Sequence, residues 1–388
     1  MVNHAVELAK SVKKVVIISG LPDTAEAEGI ERSDMKMPFA HNRLIYEVAK
    51  ANPNVAVVLC CGSVVETPWA DQVKSILYMG LSGQAGAGAL VNLLSGKANP
   101  SGKLAETWPM QYEDCPSAEF YAKDGKKAEY LEGIYVGYRY YEKAGKNVRF
   151  PFGAGLSYTE FAYDGLYVKD NKAYITITNT GSRFGGEPVL MYIHAPGDEI
   201  HRPVRELKGF EKIFLAPGEK REVCFELDER SFAVWYNGWK VYAGNYKIQI
   251  GSCEAQIQLP GEIYQSQADQ GWYQTLQGTP DRADWIRTLG RKPPNETSKR
   301  PYTINSSVED IEQDSLIIRL MMKYFENLQA KTSGKGTVEY KVAIRGAKES
   351  PLRNVQNSMM IKGHFAQAIA DIANKKYIRG FWNLIRLE

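Results

Sequence analysis

The spacing of hydrophobic positions changes twice along the chain, and each change marks a different kind of layer. Up to about residue 110, short apolar runs alternate with helical patterns. Val15-Val16-Ile17-Ile18, Val55-Ala56-Val57-Val58-Leu59 and Ser75-Ile76-Leu77-Tyr78 read as strands. His41 to Ala51 reads as a helix with Leu44, Ile45 and Val48 on one face, ended by Asn52-Pro53. Gly86 to Leu94 reads as another, closed by Ser95-Gly96. Strands alternating with helices predict an α/β layer fold, a parallel sheet covered on both faces. Such sheets hold their ligands in loops past the carboxyl ends of the strands, which makes the loop after Ile18 the first candidate site.

From Ala162 to Leu259 the period is two. Residues 172–179 (KAYITITN), 188–194, 207–215, 221–227 and 245–251 alternate apolar and polar positions, with turns such as Ala216-Pro217-Gly218 between them. This predicts an all-β part, an antiparallel sandwich of roughly 100 residues. Residues 261–305 are rich in Gln, Pro, Ser and charge and read as a linker or a strap on a neighbouring domain. Ser306 with Glu309 then reads as a capping box for one amphipathic helix, Val308 to Ala330, with Ile311, Leu316, Leu320, Tyr324 and Leu328 on its apolar stripe. A second helical stretch fills the last 35 residues. Its Phe365, Ile369, Ile372, Tyr377, Phe381, Trp382 and Leu384 form an apolar surface that has to dock on something. The expected divisions are 1–158, 159–260, 261–305 and 306–388.

Composition narrows the picture. With 388 residues and 44% hydrophobic content the chain can bury at least one large core. Its 48 Lys and Arg against 45 Asp and Glu leave +3 with no long basic run, so neither nucleic acid nor an anionic membrane is an expected partner. The longest apolar runs are far shorter than the roughly 20 residues of a membrane helix. The opening MVNHAVELAKSVKK lacks the apolar core of a signal peptide, so the expected location is cytoplasmic. Cys60, Cys61, Cys115, Cys224 and Cys253 are odd in number and have no histidine cluster beside them, which predicts buried thiols rather than disulfides or a metal site.

The loop after the first strand carries the candidate chemistry. It reads Ser19-Gly20-Leu21-Pro22-Asp23-Thr24-Ala25-Glu26-Ala27-Glu28-Gly29-Ile30-Glu31-Arg32 and continues through Asp34 to Pro38. By composition alone a run of charge is a solvated face. The pattern nevertheless resembles the E-x-E-G-x-D-R signature of family 3 glycoside hydrolases of the β-glucosidase type. Residues 53–69 (PNVAVVLCCGSVVETPW) look like the family's strand and G-S/T-P-V-E-x-P-W turn, and residues 81–109 look like its helix and N-P-S-G-K-L-x-x-T-x-P segment. Residues 134–141 and 150–158 are similar to its Y-x-G-Y-R-Y-Y and F-P-F-G-x-G-L-S-Y stretches. The sandwich, with Arg202 to Phe210, resembles the fibronectin type III-like domain of the same enzymes. The motifs follow the family's own order.

The resemblance implies a carboxyl-terminal α/β sandwich domain followed by a fibronectin type III-like domain and a helical tail. It implies that Glu28 is the general acid/base, with Glu26 and Arg32 contacting substrate, in a retaining hydrolase that releases terminal β-linked sugars, β-D-glucose foremost. Retention needs a second carboxylate about 5 Å away as nucleophile. In the family that residue is an Asp in an S-D-W motif on a (β/α)8 barrel, and the motif is absent from this sequence. The implied partners are thus a small β-glucoside or oligosaccharide and a barrel domain, in cis or in trans. No metal or organic cofactor is implied, since two carboxylates and water complete the reaction. A proton donor needs burial or nearby negative charge to raise its pKa, and Glu26 and Glu31 are close in sequence. Two departures stand out: Gly83-Gln84-Ala85-Gly86-Ala87 replaces the family's G-Q-E-G-G, and Glu31 replaces its Asp.

The alternative is a non-catalytic carbohydrate-binding or structural module built on the same scaffold, which would bind glycans without hydrolysing them. A serine esterase is set aside for want of a G-x-S-x-G elbow. Gly83, Gly86 and Gly88 do not have dinucleotide spacing and read as close helix-to-sheet packing. Tyr135, Tyr138, Tyr140 and Tyr141 read either as a sugar-stacking platform or as core. Trp235, Trp239 and Tyr242 read as core or interdomain contacts, or as a carbohydrate-binding surface. His41, His194, His201 and His364 receive no role.

Overall fold

In the computed structural model, which describes residues 1–23, 25–27, 32–121, 128–197, 201–235, 238–263, 271–293, 300–358 and 364–386, the chain divides into two units. One comprises Met1–Gly20 and Asp34–Arg291, the other Leu21–Ser33 and Lys292–Glu388.

The first unit opens with helix α1 (Val2–Ser11), strand β1 (Val15–Gly20), α2 (Phe39–Ala51), β2 (Val55–Cys60), β3 (Ser75–Tyr78) and α3 (Gly86–Leu94). The three strands are parallel in the order β1-β2-β3, and no sheet among the described residues closes into a barrel. Central β2 carries Val55, Val57, Val58 and Leu59 fully buried, as its unbroken apolar run requires. Ala9 of α1 and Ile45 and Val48 of α2 are buried, and Asn52 fastens the layer by donating to the carbonyls of Ala9 and Val12, both at 2.8 Å.

Full cover on both faces is not found. Ile17 is buried, whereas Val16 and Ile18 on the opposite face of β1 are exposed, as are Val91 and Leu94 of α3. An apolar run on an edge strand does not by itself say which face is covered. The glycines at α3 do not serve close packing throughout: Gly86 abuts the Ser82 side chain, but nothing lies within 4 Å of where a side chain at Gly83 or Gly88 would begin.

A short pair, β4 (Trp108–Pro109) with β5 (Val148–Phe150), and α4 (Tyr138–Lys143) lead into the sandwich. Its strands are β6 (Phe161–Lys169), β7 (Lys172–Asn179), β8 (Gly185–His194), β9 (Glu206–Leu215) and β10 (Lys220–Glu226), then α5 (Glu229–Phe232), the small hairpin β11 (Val234–Trp235) and β12 (Trp239–Lys240), β13 (Gly244–Ile250) and β14 (Cys253–Leu259). Sheets β10-β7-β6 and β14-β13-β8-β9 enclose a core that includes Ile175, Ile177, Met191, Ile213, Tyr246 and Ile248. Asp170 and Asn171, both at positive φ, form the two-residue turn between β6 and β7, the conformation that such hairpins demand.

Two sequence expectations are corrected here. Cys224 faces outward on β10 and is exposed, because the alternation of the strand puts Val223 and Phe225 inside. Trp235 and Trp239 are exposed rather than core, packed edge to face with the Arg230 guanidinium 3.5 Å from the Trp239 ring, while Tyr242 is buried. Within residues 261–305, α6 (Trp272–Thr275) and α7 (Arg282–Leu289) are helical, and Trp272, Tyr273 and Leu276 join Tyr135, Tyr140 and Tyr141 in one buried cluster, as a strap packed on the neighbouring segment does. Those tyrosines are core, whereas Tyr138 packs against Phe152 and Tyr192.

In the second unit the sequence predicts one helix over 308–330, and the structure has two. They are α8 (Val308–Glu312), capped by Ser307 accepting from the Asp310 amide, and α9 (Leu316–Gln329), capped by Ser315. Asp314 is drawn out of helical geometry by the Tyr302 hydroxyl at 2.5 Å and the Arg300 guanidinium at 2.6 Å. The break resets the helical phase. Ile318 and Met322 of α9 are buried, and Leu316, Leu320, Tyr324 and Leu328 are exposed. Helices α10 (Val338–Glu349), α11 (Leu352–Ser358), α12 (Phe365–Ala373) and α13 (Tyr377–Ile385) complete the unit. Its core joins Tyr302, Val308, Ile311, Leu352, Ile369 and Ala370. Gly380 lets α13 approach α12, since a Cβ there would lie 2.5 Å from Ile372 Cγ1, and buried Asp371 accepts from Arg379 Nε at 2.8 Å. Tyr377, Phe381 and Trp382 remain exposed. Among the described residues no helix is long and apolar enough to cross a membrane.

Candidate active site

Strand β1 ends at Gly20, beside Cys60 at the end of β2, so the loop of interest leaves the sheet at its carboxyl edge. The two backbones meet so closely that a Cβ on Gly20 would lie 1.7 Å from the Cys60 carbonyl oxygen. Glycine is the residue that permits this approach. The Gly20 carbonyl is also met by His41 Nδ1 at 3.1 Å, from the first turn of α2. The amides of Ala25 and Glu26 then turn back onto the Pro22 carbonyl, at 2.8 and 3.1 Å.

Of the residues singled out in this loop, Glu26 and Arg32 are described, both partly buried, and Arg32 Nη2 is fully shielded from solvent. Glu28 and Glu31 lie outside the described residues. The far side of the loop is anchored where the Glu66 amide donates to the Met35 carbonyl at 2.8 Å. Glu66 in turn accepts from the Tyr112 amide through Oε1 at 3.0 Å, and Trp69 Nε1 donates to Asn42 Oδ1 at 2.8 Å. The E-T-P-W turn after β2 is therefore a brace between α2, Met35 and residue 112. Thr67 Oγ1, in that turn, is buried without a hydrogen-bond partner among the described residues, as are Thr107 Oγ1 and Trp108 Nε1. Buried groups of this kind call for water or a ligand.

Two further carboxyls stand out that their sequence context alone does not flag. Burial pushes the Glu132 carboxyl above its ordinary range, and its Oε2 has no partner among the described residues. Burial likewise raises Glu106. The one signal for Glu132 is its place before Gly133, which takes a positive φ as the chain turns toward the tyrosine cluster. Among the described residues no group of three or more His, Cys, Asp or Glu is placed to hold a metal ion.

The segment is thus fastened at Gly20 and at Met35, both in the first unit, the former at the carboxyl edge of the parallel sheet. Comparison with known proteins identifies the two domains. Residues 1–158 match the glycosyl hydrolase family 3 C-terminal domain, and residues 187–253 match the fibronectin type III-like domain. The thermostable β-glucosidase B of Acetivibrio thermocellus is 39% identical over 327 residues, covering 81% of this chain and 40% of that protein. An exo-α-(1→6)-L-arabinopyranosidase of Bifidobacterium breve is 43% identical over 265 residues, covering 66% of this chain and 35% of its own length. The crystal structure of a Bifidobacterium adolescentis family 3 β-glucosidase superimposes with a TM-score of 0.64 at 41% identity, covering 69% of this chain and 42% of that one. The chain thus spans two fifths or less of the length of these curated relatives. With these two matched domains and these relatives, this chain belongs to glycosyl hydrolase family 3, of which it carries the C-terminal domain and the fibronectin type III-like domain.

Proposed function

We propose that this chain supplies the proton-donating half of the active site of a retaining β-glycosidase, with Glu28 as general acid and then general base. The observation that carries the reading is the family match across residues 1–158 together with the sequence Glu26-Ala27-Glu28-Gly29 in the segment that follows β1. In the first step a carboxylate from a barrel domain attacks the anomeric carbon while Glu28 protonates the departing glycosidic oxygen. In the second, the Glu28 carboxylate takes a proton from water as that water displaces the enzyme carboxylate, which regenerates both groups. Glu26 and Arg32 contact the sugar, and negative charge at Glu26 and Glu31 keeps the donor protonated near neutrality. The proposed substrate is a terminal β-linked D-glucose, in line with the β-glucosidases among the relatives. The arabinopyranosidase, a relative at 43% identity, shows that the family domain accompanies other sugar specificities.

The test is Glu28→Ala in this chain assembled with its nucleophile-bearing domain. Loss of acid catalysis predicts a fall of about 10²–10⁴-fold on alkyl glucosides, whose leaving groups need a proton, and a far smaller fall on aryl glucosides with acidic phenols. Azide should then restore turnover and yield the β-glycosyl azide. Equal losses on both substrate types with no azide effect would assign the acid to another residue.

A further inference from the structure

The first unit contains a cavity of about 200 Å³ that the proposed chemistry does not use. Its walls include Lys103 from the segment before β4, Phe152 after β5, Tyr163 on β6, Glu187 and Tyr192 on β8, and Arg205 just before β9. It is smaller than the ~300 Å³ lower bound of drug-sized pockets, so it suits a ligand of about one ring.

The charges around it are balanced. Lys103 Nζ lies 3.3 Å from Glu187 Oε2 and donates to the Gly155 carbonyl, while Arg205 grips Glu142 with Nε and Nη2 at 2.8 and 2.6 Å. No uncompensated charge is left to select an ion. The hydrogen-bonding capacity is not exhausted. An ammonium has three donors and a carboxylate about four acceptor sites, and Glu187 is otherwise met by the Tyr163 hydroxyl at 2.9 Å.

Tyr192 is the telling residue. It is only 6% exposed as a residue, while its hydroxyl is open to the cavity and makes no hydrogen bond among the described residues. Its ring is fixed by the Arg205 guanidinium 4.3 Å from its centroid and by Tyr138 edge-on at 6.0 Å. Gly153 keeps that hydroxyl reachable, since a Cβ there would lie 3.7 Å from it and 3.0 Å from Leu190 Cδ1. Burial holds the phenol up to about 12, so it stays a donor at any working pH.

We propose that this cavity binds one neutral pyranose ring, or a polyol of that size, with Tyr192, Glu187 and Lys103 meeting hydroxyls and Phe152 and Tyr163 meeting the C–H faces. A neutral polyol is the ligand class that uses donors and acceptors together and gains from aromatic walls without needing net charge. The proposal goes beyond the hydrolytic reading and does not depend on it. The test is saturation-transfer NMR and calorimetry of the full chain with methyl β-D-glucopyranoside, and with glucuronate as the charged control. Saturable binding at millimolar concentration is expected, weaker for glucuronate. Tyr192→Phe, which removes only the hydroxyl, should weaken it about fivefold. Leu190→Trp, which fills the cavity, should abolish it, and Leu320→Lys, at an exposed position of α9 in the second unit, should leave it unchanged. Absence of saturable binding, or full affinity in Tyr192→Phe, overturns the proposal, and the conservative variant decides the matter should the bulkier one unfold.

Discussion

At the scale of single residues, two buried polar side chains of the first unit depend on partners distant in sequence. Asn179, fully buried at the end of β7, accepts from Thr159 Oγ1 at 2.7 Å and from the Gly181 amide at 3.1 Å. It donates to the carbonyls of Arg183 and Leu215 at 2.7 and 2.9 Å. Asn179→Ala would strand several buried groups at once, and a loss of about 3 kcal/mol is expected in urea unfolding. His201 works in the opposite sense. Its ring sits edge-on to Tyr135 and Tyr273 at 5.1 and 5.0 Å, with Nδ1 buried and without a partner among the described residues. Burial, and then the Lys143 charge, lower its pKa from 6.5 to about 4. Between those values the unfolded chain binds a proton that the folded chain refuses. The stability this neutral ring allows is therefore present above pH 6.5 and lost as pH falls toward 4, by at most about 3 kcal/mol. Thermal melts across that window should show the loss, and His201→Phe should flatten it. Neither residue is legible from its neighbours in sequence. The alternation of β7 places Asn179 inward beside Ile175 and Ile177, but Leu215 and Thr159 become its partners only when the sheets pack.

At the scale of elements, legibility follows how local the determining interaction is. The strands of the sandwich are readable because a half-buried strand announces its faces by alternation alone, as Lys172–Asn179 does with every second residue buried. The break between α8 and α9 is not readable that way, since it depends on Asp314 reaching Tyr302 and Arg300. A stripe drawn through residues 316, 320, 324 and 328 therefore falls on the exposed face. The two pictures predict opposite mutational patterns. Ile318→Ala or Met322→Ala should each destabilise the second unit by roughly 2–4 kcal/mol, and Leu320→Lys should stay within about 0.5 kcal/mol. A melt in which Leu320→Lys is the damaging change would restore the uninterrupted helix. The same logic explains Trp235 and Trp239, whose aromatic content suggests core although a short hairpin leaves them at the surface.

At the scale of the whole molecule, the family is legible because several motifs fall in one order over residues 1–158 and 187–253. The catalytic assignment is less so, since Glu28 lies outside the described residues and its role rests on the motif. If the chain contributes acid/base chemistry alone, it should release no nitrophenol from nitrophenyl β-glucoside by itself. A separately produced barrel domain should restore turnover on mixing. Turnover by this chain alone, abolished by changing one of its own carboxylates, would place the nucleophile here instead. The contact between Gly20 and Cys60 bears on how such a loop can diversify. With a carbonyl 1.7 Å from where a side chain would begin, that anchor is closed to substitution, while the Met35 carbonyl is held by a backbone amide at Glu66. Neither fastening depends on the side chains between residues 21 and 34. Transplanting the corresponding stretch from a relative of different sugar preference is therefore expected to alter chemistry without requiring the sheet to be redesigned.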